Sequence, residues 1–244
     1  MKKDLVAYQL VKFLESRGIE KIFGLCGHTV IGFLDALKDS RIRFISVRHE
    51  QIAAHAADGY ARAKGCTLPG VLLTHLGPGL ANATTGVAEA GLNSIPLVVI
   101  AGDVPSCYFG RHPHQEVNMH ADASQFEIYR PFVKRAWRVD RPELLPEVMG
   151  KAFRLAVTGR PGPVLVSVPM DLFSMEIDTR FFDQRIDNCP KLPRPGLDET
   201  TAAEIVTMLA KAEHPILYPG GGVISSGAAT ALTELATHLE IPVL

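Results

Sequence analysis

Apolar positions along the chain alternate between a helical and a strand period. Leu5, Val6, Leu10, Val11 and Leu14 recur at helical spacing, and Arg17-Gly18 ends that helix before a short apolar strand, Lys21-Ile22-Phe23-Gly24. Gly24-Leu25-Cys26-Gly27-His28-Thr29 reads as a glycine-punctuated turn, and Val30, Ile31, Phe33, Leu34 and Leu37 mark a second helix. A strand through Ile42, Phe44, Ile45 and Val47 then meets an alanine-rich helix running from Ile52 to Lys64. That junction leaves one carboxylate, Glu50, on the first helical turn, at the carboxyl end of a strand, where α/β sheets usually bind ligands.

The alternation continues. Gly70-Val71-Leu72-Leu73-Thr74 is a buried strand leading into His75-Leu76-Gly77-Pro78-Gly79, followed by a small-residue helix over 80–92. Residues 95–101 form the most β-like run, which Gly102-Asp103 is expected to stop. A strand over 132–139, a helix over 142–158 and a strand over 164–168 complete the series. Fully apolar strands alternating with helices predict an α/β fold, a parallel sheet with helices on both faces. Residues 104–130 are the exception, polar, rich in histidine and too long for an ordinary connection, as functional loops often are.

From 176 to 196 periodicity is lost, and Cys189-Pro190-Lys191-Leu192-Pro193-Arg194-Pro195-Gly196 has the stiffness of an interdomain linker. The expected organisation is a first domain over 1–178, a linker over 179–196, and an incomplete second α/β domain over 197–244. The last is read as a helix over 200–212, a strand over 215–218, a turn at Gly220-Gly221-Gly222, a helix over 227–239 and the start of a strand. Some fifty residues of this kind do not close a core alone, so the chain is expected to be part of a longer protein.

Composition narrows the partners. With 47% hydrophobic residues, 25 basic and 26 acidic side chains and a net charge of -1, nothing favours nucleic acid or an anionic membrane. The N-terminus lacks the apolar stretch of a secretory signal, and no apolar run approaches membrane-spanning length. Cys26, Cys66, Cys107 and Cys189 are scattered without metal-ligand spacing, which fits a reduced, cytoplasmic setting and small-molecule partners.

The common nucleotide signals fail: there is no GxxxxGK[ST], and Gly220-Gly221-Gly222-Val223-Ile224-Ser225-Ser226-Gly227 lacks a glycine of the dinucleotide fingerprint. His75, His112, His114 and His120 lack the paired cysteines or HExxH of a metal site, so a substrate-loop or surface role fits them better. Several pieces together resemble the thiamine diphosphate enzymes of the acetolactate synthase and benzoylformate decarboxylase group. Gly24-Leu25-Cys26-Gly27 is similar to the first turn of that family, and Arg48-His49-Glu50-Gln51 to its glutamate motif. Thr74-His75-Leu76-Gly77-Pro78-Gly79 with Asn82 and Gly86 resembles the pyrimidine-side loop and helix, and His114-Gln115-Glu116 the active-site loop. Gly159-Arg160-Pro161-Gly162-Pro163 and Val168-Pro169-Met170-Asp171 resemble the strand that closes the domain.

This resemblance implies a pyrimidine-binding domain followed by part of a central domain, in an enzyme acting on 2-oxo acids by decarboxylation or acetolactate synthase-like carbon–carbon bond formation. It makes Glu50 the group that activates the cofactor aminopyrimidine, with Gln115, His114 and His28 facing the reaction. Thr74, Gly77, Pro78, Gly79, Asn82, Cys26 and Gly27 fall on the cofactor side. Glu50 must then share a proton with a weakly basic ring; a dry pocket favours the neutral carboxyl, the helix N-terminus the charged one. Burial reaches several kcal/mol, against ~0.3–1 kcal/mol for a helix end, so burial should prevail. Mg²⁺ and the diphosphate are expected on a C-terminal domain of a partner subunit in a dimer or tetramer, which leaves these 244 residues inactive alone. FAD is compatible with the resemblance, though no residue here calls for it. His114-Gln115 mixes decarboxylase and synthase features, and Cys26 stands where a proline is usual, so substrate and reaction type stay open. The alternative is a non-catalytic binding or assembly module derived from the same domain.

Overall fold

In the computed structural model, residues 2–111, 113–116, 125–186 and 196–244 are described, and the chain divides into two compact units, 1–192 and 193–244. The elements of the first unit, in order, are β1 (Lys3–Leu5), α1 (Val6–Ser16), β2 (Lys21–Gly24), α2 (Ile31–Lys38), β3 (Arg43–Ser46) and α3 (Glu50–Ala63). They continue with β4 (Gly70–Thr74), α4 (Pro78–Leu92), β5 (Leu97–Asp103), β6 (Ala136–Arg138), α5 (Leu145–Val157), β7 (Val164–Pro169), α6 (Met170–Phe173), β8 (Glu176–Asp178) and α7 (Arg180–Ile186). Six of these strands form a parallel sheet in the order β3-β2-β4-β5-β7-β6. The α/β expectation with helices on both faces holds.

Strand alternation divides the core in two. Val71, Leu73, Val98, Ile100, Val164 and Val166 point to one face, against Leu10, Phe13 and Leu14 of α1 and Met149 and Phe153 of α5. Leu72, Leu97, Val99 and Leu165 point to the other, against α3 and α4. The buried side of α3 is Glu50, Ala53, Ala54, Ala57, Asp58 and Ala61, and that of α4 is Gly79, Leu80, Ala83, Gly86, Val87 and Ala90. Both follow i, i+3, i+4, i+7 spacing, so each helix buries one stripe made mostly of small residues. Small residues bring these two helices close: a Cβ on Gly86 would stand 2.6 Å from that of Ala54.

Several expectations need correction. β5 does not end before Gly102-Asp103 but pairs with β7 through Asp103↔Pro169, because a strand end is set by its partner as much as by its own apolarity. In 132–139 only β6 is strand; Phe132 and Val133 instead form a turn on Tyr129. The stretch from 179 expected as linker carries α7, whose Phe182 is buried against Phe13 with ring centroids 6.4 Å apart. β1 pairs antiparallel with β8, a small second sheet that no local pattern announced. Residues 187–195 of the linker, with Cys189, lie outside the described residues, as do His112 and His120.

The second unit holds α8 (Glu199–Lys211), α9 (Gly221–Ser226) and α10 (Ala229–Leu239), with Leu217 bridged in parallel to Val243. Gly221-Gly222, read as a turn, begins α9, which ends at Gly227 with φ 72°. Asp198 caps α8 by accepting from the Thr201 amide. Among the described residues no helix is long and apolar enough to cross a membrane.

Candidate active site

Glu50 is the first residue of α3, yet it does not cap that helix. The cap is His49, whose Nδ1 accepts from the Gln51 amide at 3.2 Å. The Glu50 side chain turns inward, with 6% of its surface exposed, and its Oε2 accepts from Asn82 Nδ2 on α4 at 3.0 Å. Among the described residues it has no other hydrogen bond and no ion pair. Its Oε1 faces Gly79, where an added Cβ would lie 3.3 Å from that oxygen, 3.2 Å from His75 Cβ and 3.7 Å from Thr74 Cβ. Thr74 itself is buried at the end of β4, and its Oγ1 has no partner among the described residues. The Glu50 and Thr74 side chains thus both adjoin Gly79, and each has hydrogen-bonding capacity left over.

The turn into α4 is held from below. Gly77 adopts φ 41°, ψ −93°, a conformation that favours glycine, and Pro78 follows in the first helical turn. The Gly77 amide donates to Oε1 of buried Gln125 at 2.7 Å. Gln125 Nε2 donates to the Gly102 carbonyl and to Ser167 Oγ, at 3.0 and 3.1 Å. Ser167 in turn donates to Asp103 Oδ2 at 2.9 Å, where Arg138 Nε also donates at 3.0 Å. Burial pushes the Asp103 carboxyl up, against the pull of Arg138 and of the Ser167 hydroxyl.

His75 is a second hub. Its Nδ1 lies 2.7 Å from Thr29 Oγ1 and its Nε2 2.8 Å from Gln115 Oε1. An amide oxygen only accepts, so Nε2 carries the proton; with the ring neutral, the Thr29 hydroxyl donates to Nδ1. Burial holds His75 below its ordinary value, partly offset by the bond to Gln115, with His28 adding to the downward pull. The exposed His28 ring meets His75 edge-on at a centroid distance of 4.5 Å, and a Cβ on Gly27 would strike His75. Gln115 takes φ 68°.

The structure therefore gathers Glu50, Thr74, Gly77, Pro78, Gly79 and Asn82 around the α3–α4 entry, and Gly27, His28 and Gln115 around His75. Cys26 is exposed in the adjoining turn, and His114 is exposed with no hydrogen bond to a described residue. The sequence pattern did not single out His75 as the hub, nor Thr29, Gln125, Ser167 or Asp103. A polar residue closing an apolar strand was the available signal for Asp103; Gln125 carried none, sitting in the irregular stretch.

Residues 5–125 match the family described as thiamine pyrophosphate enzyme, N-terminal TPP binding domain, and residues 202–244 match the central domain of the same enzymes. The chain belongs to the thiamine pyrophosphate enzymes. Among curated relatives, it is 38% identical to a probable acetolactate synthase large subunit of Methanocaldococcus jannaschii, over 97% of this chain and 39% of that protein. It is 40% identical to the acetolactate synthase large subunit of Buchnera aphidicola from Schizaphis graminum, over 97% and 40%. It is 38% identical to the acetolactate synthase isozyme 1 large subunit of Escherichia coli, over 96% and 39%. The chain thus spans about two fifths of the length of these relatives.

The residues present fit the pyrimidine end of the cofactor of this family. A buried carboxyl oriented by an amide, with one oxygen unengaged beside a glycine, suits a partner that shares a proton with it. Among the described residues no group of three or more His, Cys, Asp or Glu side chains is arranged to hold a metal ion.

Proposed function

We propose that this chain supplies the pyrimidine side of the active site of a thiamine diphosphate-dependent enzyme that acts on 2-oxo acids in an acetolactate synthase-like manner. The observation that carries the reading is the inward-turned Glu50 carboxyl, held by Asn82 and free of any cation among the described residues. A carboxylate buried for structure alone would be paired or used as a cap, since burying it unpaired costs several kcal/mol. Neither role applies, which also argues against the assembly-module reading.

Within this proposal Glu50 is the catalytic residue that exchanges a proton with the cofactor aminopyrimidine through Oε1, while Asn82 fixes Oε2. Gly77, Pro78 and Gly79 would hold the pyrimidine ring against their backbone, and Thr74 Oγ1, without a partner among the described residues, would offer it a further hydrogen bond. Gly27 and Cys26 would border the cofactor from the neighbouring turn. Gln115, His28 and His114 face the substrate side, with Gln115 tied to the His75 hub. When bound, the cofactor supplies the carbon nucleophile and the electron sink that let a 2-oxo acid lose CO2.

The diphosphate and Mg²⁺ are assigned to a further domain, and no FAD step is invoked. Asn82, which holds the buried carboxyl, is itself exposed, so a second subunit covering this face in a dimer or tetramer would exclude water from it. The proposed domain division is a pyrimidine-binding domain, a proline-rich linker and the start of a central domain. A cytoplasmic setting suits the scattered cysteines. The test is turnover: the assembled enzyme with thiamine diphosphate, Mg²⁺ and pyruvate should release CO2 and form either a 2-hydroxy-3-oxo acid, by condensation with a second pyruvate, or an aldehyde. Release by wild type that persists undiminished in Glu50→Gln would count against the reading.

A further inference from the structure

We infer that Gln125 is a positioning residue for the Glu50 site, acting through the Gly77 amide. The inference rests on the proposed role of Glu50. Gln125 is 2% exposed and makes three hydrogen bonds, all to groups that sit on different elements. Two of its partners can play only one role: the Gly77 N–H donates and the Gly102 carbonyl accepts. The Gln125 side chain therefore has a single orientation, oxygen to Gly77 and nitrogen to Gly102. The third bond agrees, because the Ser167 hydroxyl gives its proton to Asp103 and so accepts from Gln125. Asp103 is in turn held by Arg138 and by the Val104 amide.

The amide side chain thus ties the ends of β5 and β7 to the residue that opens α4. Gly77 is followed within five residues by Gly79, which adjoins Glu50 Oε1, and by Asn82, which binds Oε2. The strained dihedrals of Gly77 set the angle at which α4 departs, and the Gln125 bond satisfies its amide in that conformation. Removing the bond leaves a buried N–H without a partner and lets the turn relax. A shift of about 1 Å at a reacting group can cost as much as ~10²-fold in rate, so a small tilt of α4 is enough to matter.

The experiment compares Gln125→Met, which keeps length and loses all three bonds, with Lys134→Met as a control. Lys134 lies away from the site and donates to the Leu155, Thr158 and Arg160 carbonyls at the end of α5. In the chain without cofactor, hydrogen exchange by NMR should show the Gly77 amide losing protection in Gln125→Met and keeping it in Lys134→Met. In the assembled enzyme, exchange of the cofactor C2 proton should slow by at least about tenfold in Gln125→Met and stay within about twofold of wild type in the control. Glu50→Gln is measured alongside. Slow exchange in Glu50→Gln with Gln125→Met matching the control would overturn the positioning role alone, as would retained Gly77 protection. Unchanged exchange in Glu50→Gln would overturn the reading of Glu50 instead.

Discussion

Asn82 Nδ2 on α4 donates to Glu50 Oε2 on α3 at 3.0 Å, so the carboxyl at the start of one helix is oriented by the first turns of its neighbour. Asn82→Ala removes the only hydrogen bond to that carboxyl among the described residues. The expected loss of folding stability is about 1–3 kcal/mol, the cost of a buried acceptor left without a partner. Urea unfolding measures it, and a midpoint equal to that of wild type would show that Asn82 contributes nothing.

The α3–α4 contact depends on having no side chain at Gly86. Gly86→Ala places a Cβ 2.6 Å from that of Ala54, which forces the helices apart and should cost about 1–3 kcal/mol. Adding Ala54→Gly should recover part of the loss, after allowance for the glycine's own cost in a helix of about 1 kcal/mol. A double-mutant cycle with no coupling would refute the close crossing.

How much of this arrangement was legible in the sequence depends on the distance over which each feature is determined. The place of Glu50 was legible, because an apolar strand running into an alanine-rich helix fixes the junction locally. The stripes of α3 and α4 were legible for the same reason. Which role Glu50 plays was not: only the fold reveals that His49 supplies the helix cap and frees Glu50 to turn inward. Gln125 and Thr29 were invisible because their partners, Gly77 and His75, lie 48 and 46 residues away. The same holds for α7, whose Phe182 is buried by α1, and for β1, whose strand character comes from β8.

His75 gives a pH dependence with a defined sign. Burial keeps its folded value below the ordinary 6.5, so the unfolded chain takes up a proton first as pH falls. The stability tied to the neutral ring is full above 6.5 and is lost progressively below it, until the folded imidazole also titrates. Unfolding free energies measured from pH 7 to pH 5 should fall more steeply for wild type than for His75→Gln. Parallel slopes would contradict the neutral, hydrogen-bonded ring.

The assignment of Mg²⁺ and diphosphate to another domain predicts weak binding by this chain alone. Isothermal titration of the 244-residue chain with thiamine diphosphate and Mg²⁺ should show no saturation at micromolar concentration. Micromolar affinity would mean that a phosphate site exists within it.

The most direct test of the central claim is exchange of the cofactor C2 proton for deuterium, followed by NMR in the assembled enzyme. Glu50→Gln keeps the shape of the side chain and its contact with Asn82 but cannot pass a proton. Exchange slowed by orders of magnitude is the predicted result, and exchange at the wild-type rate would contradict the role given to Glu50.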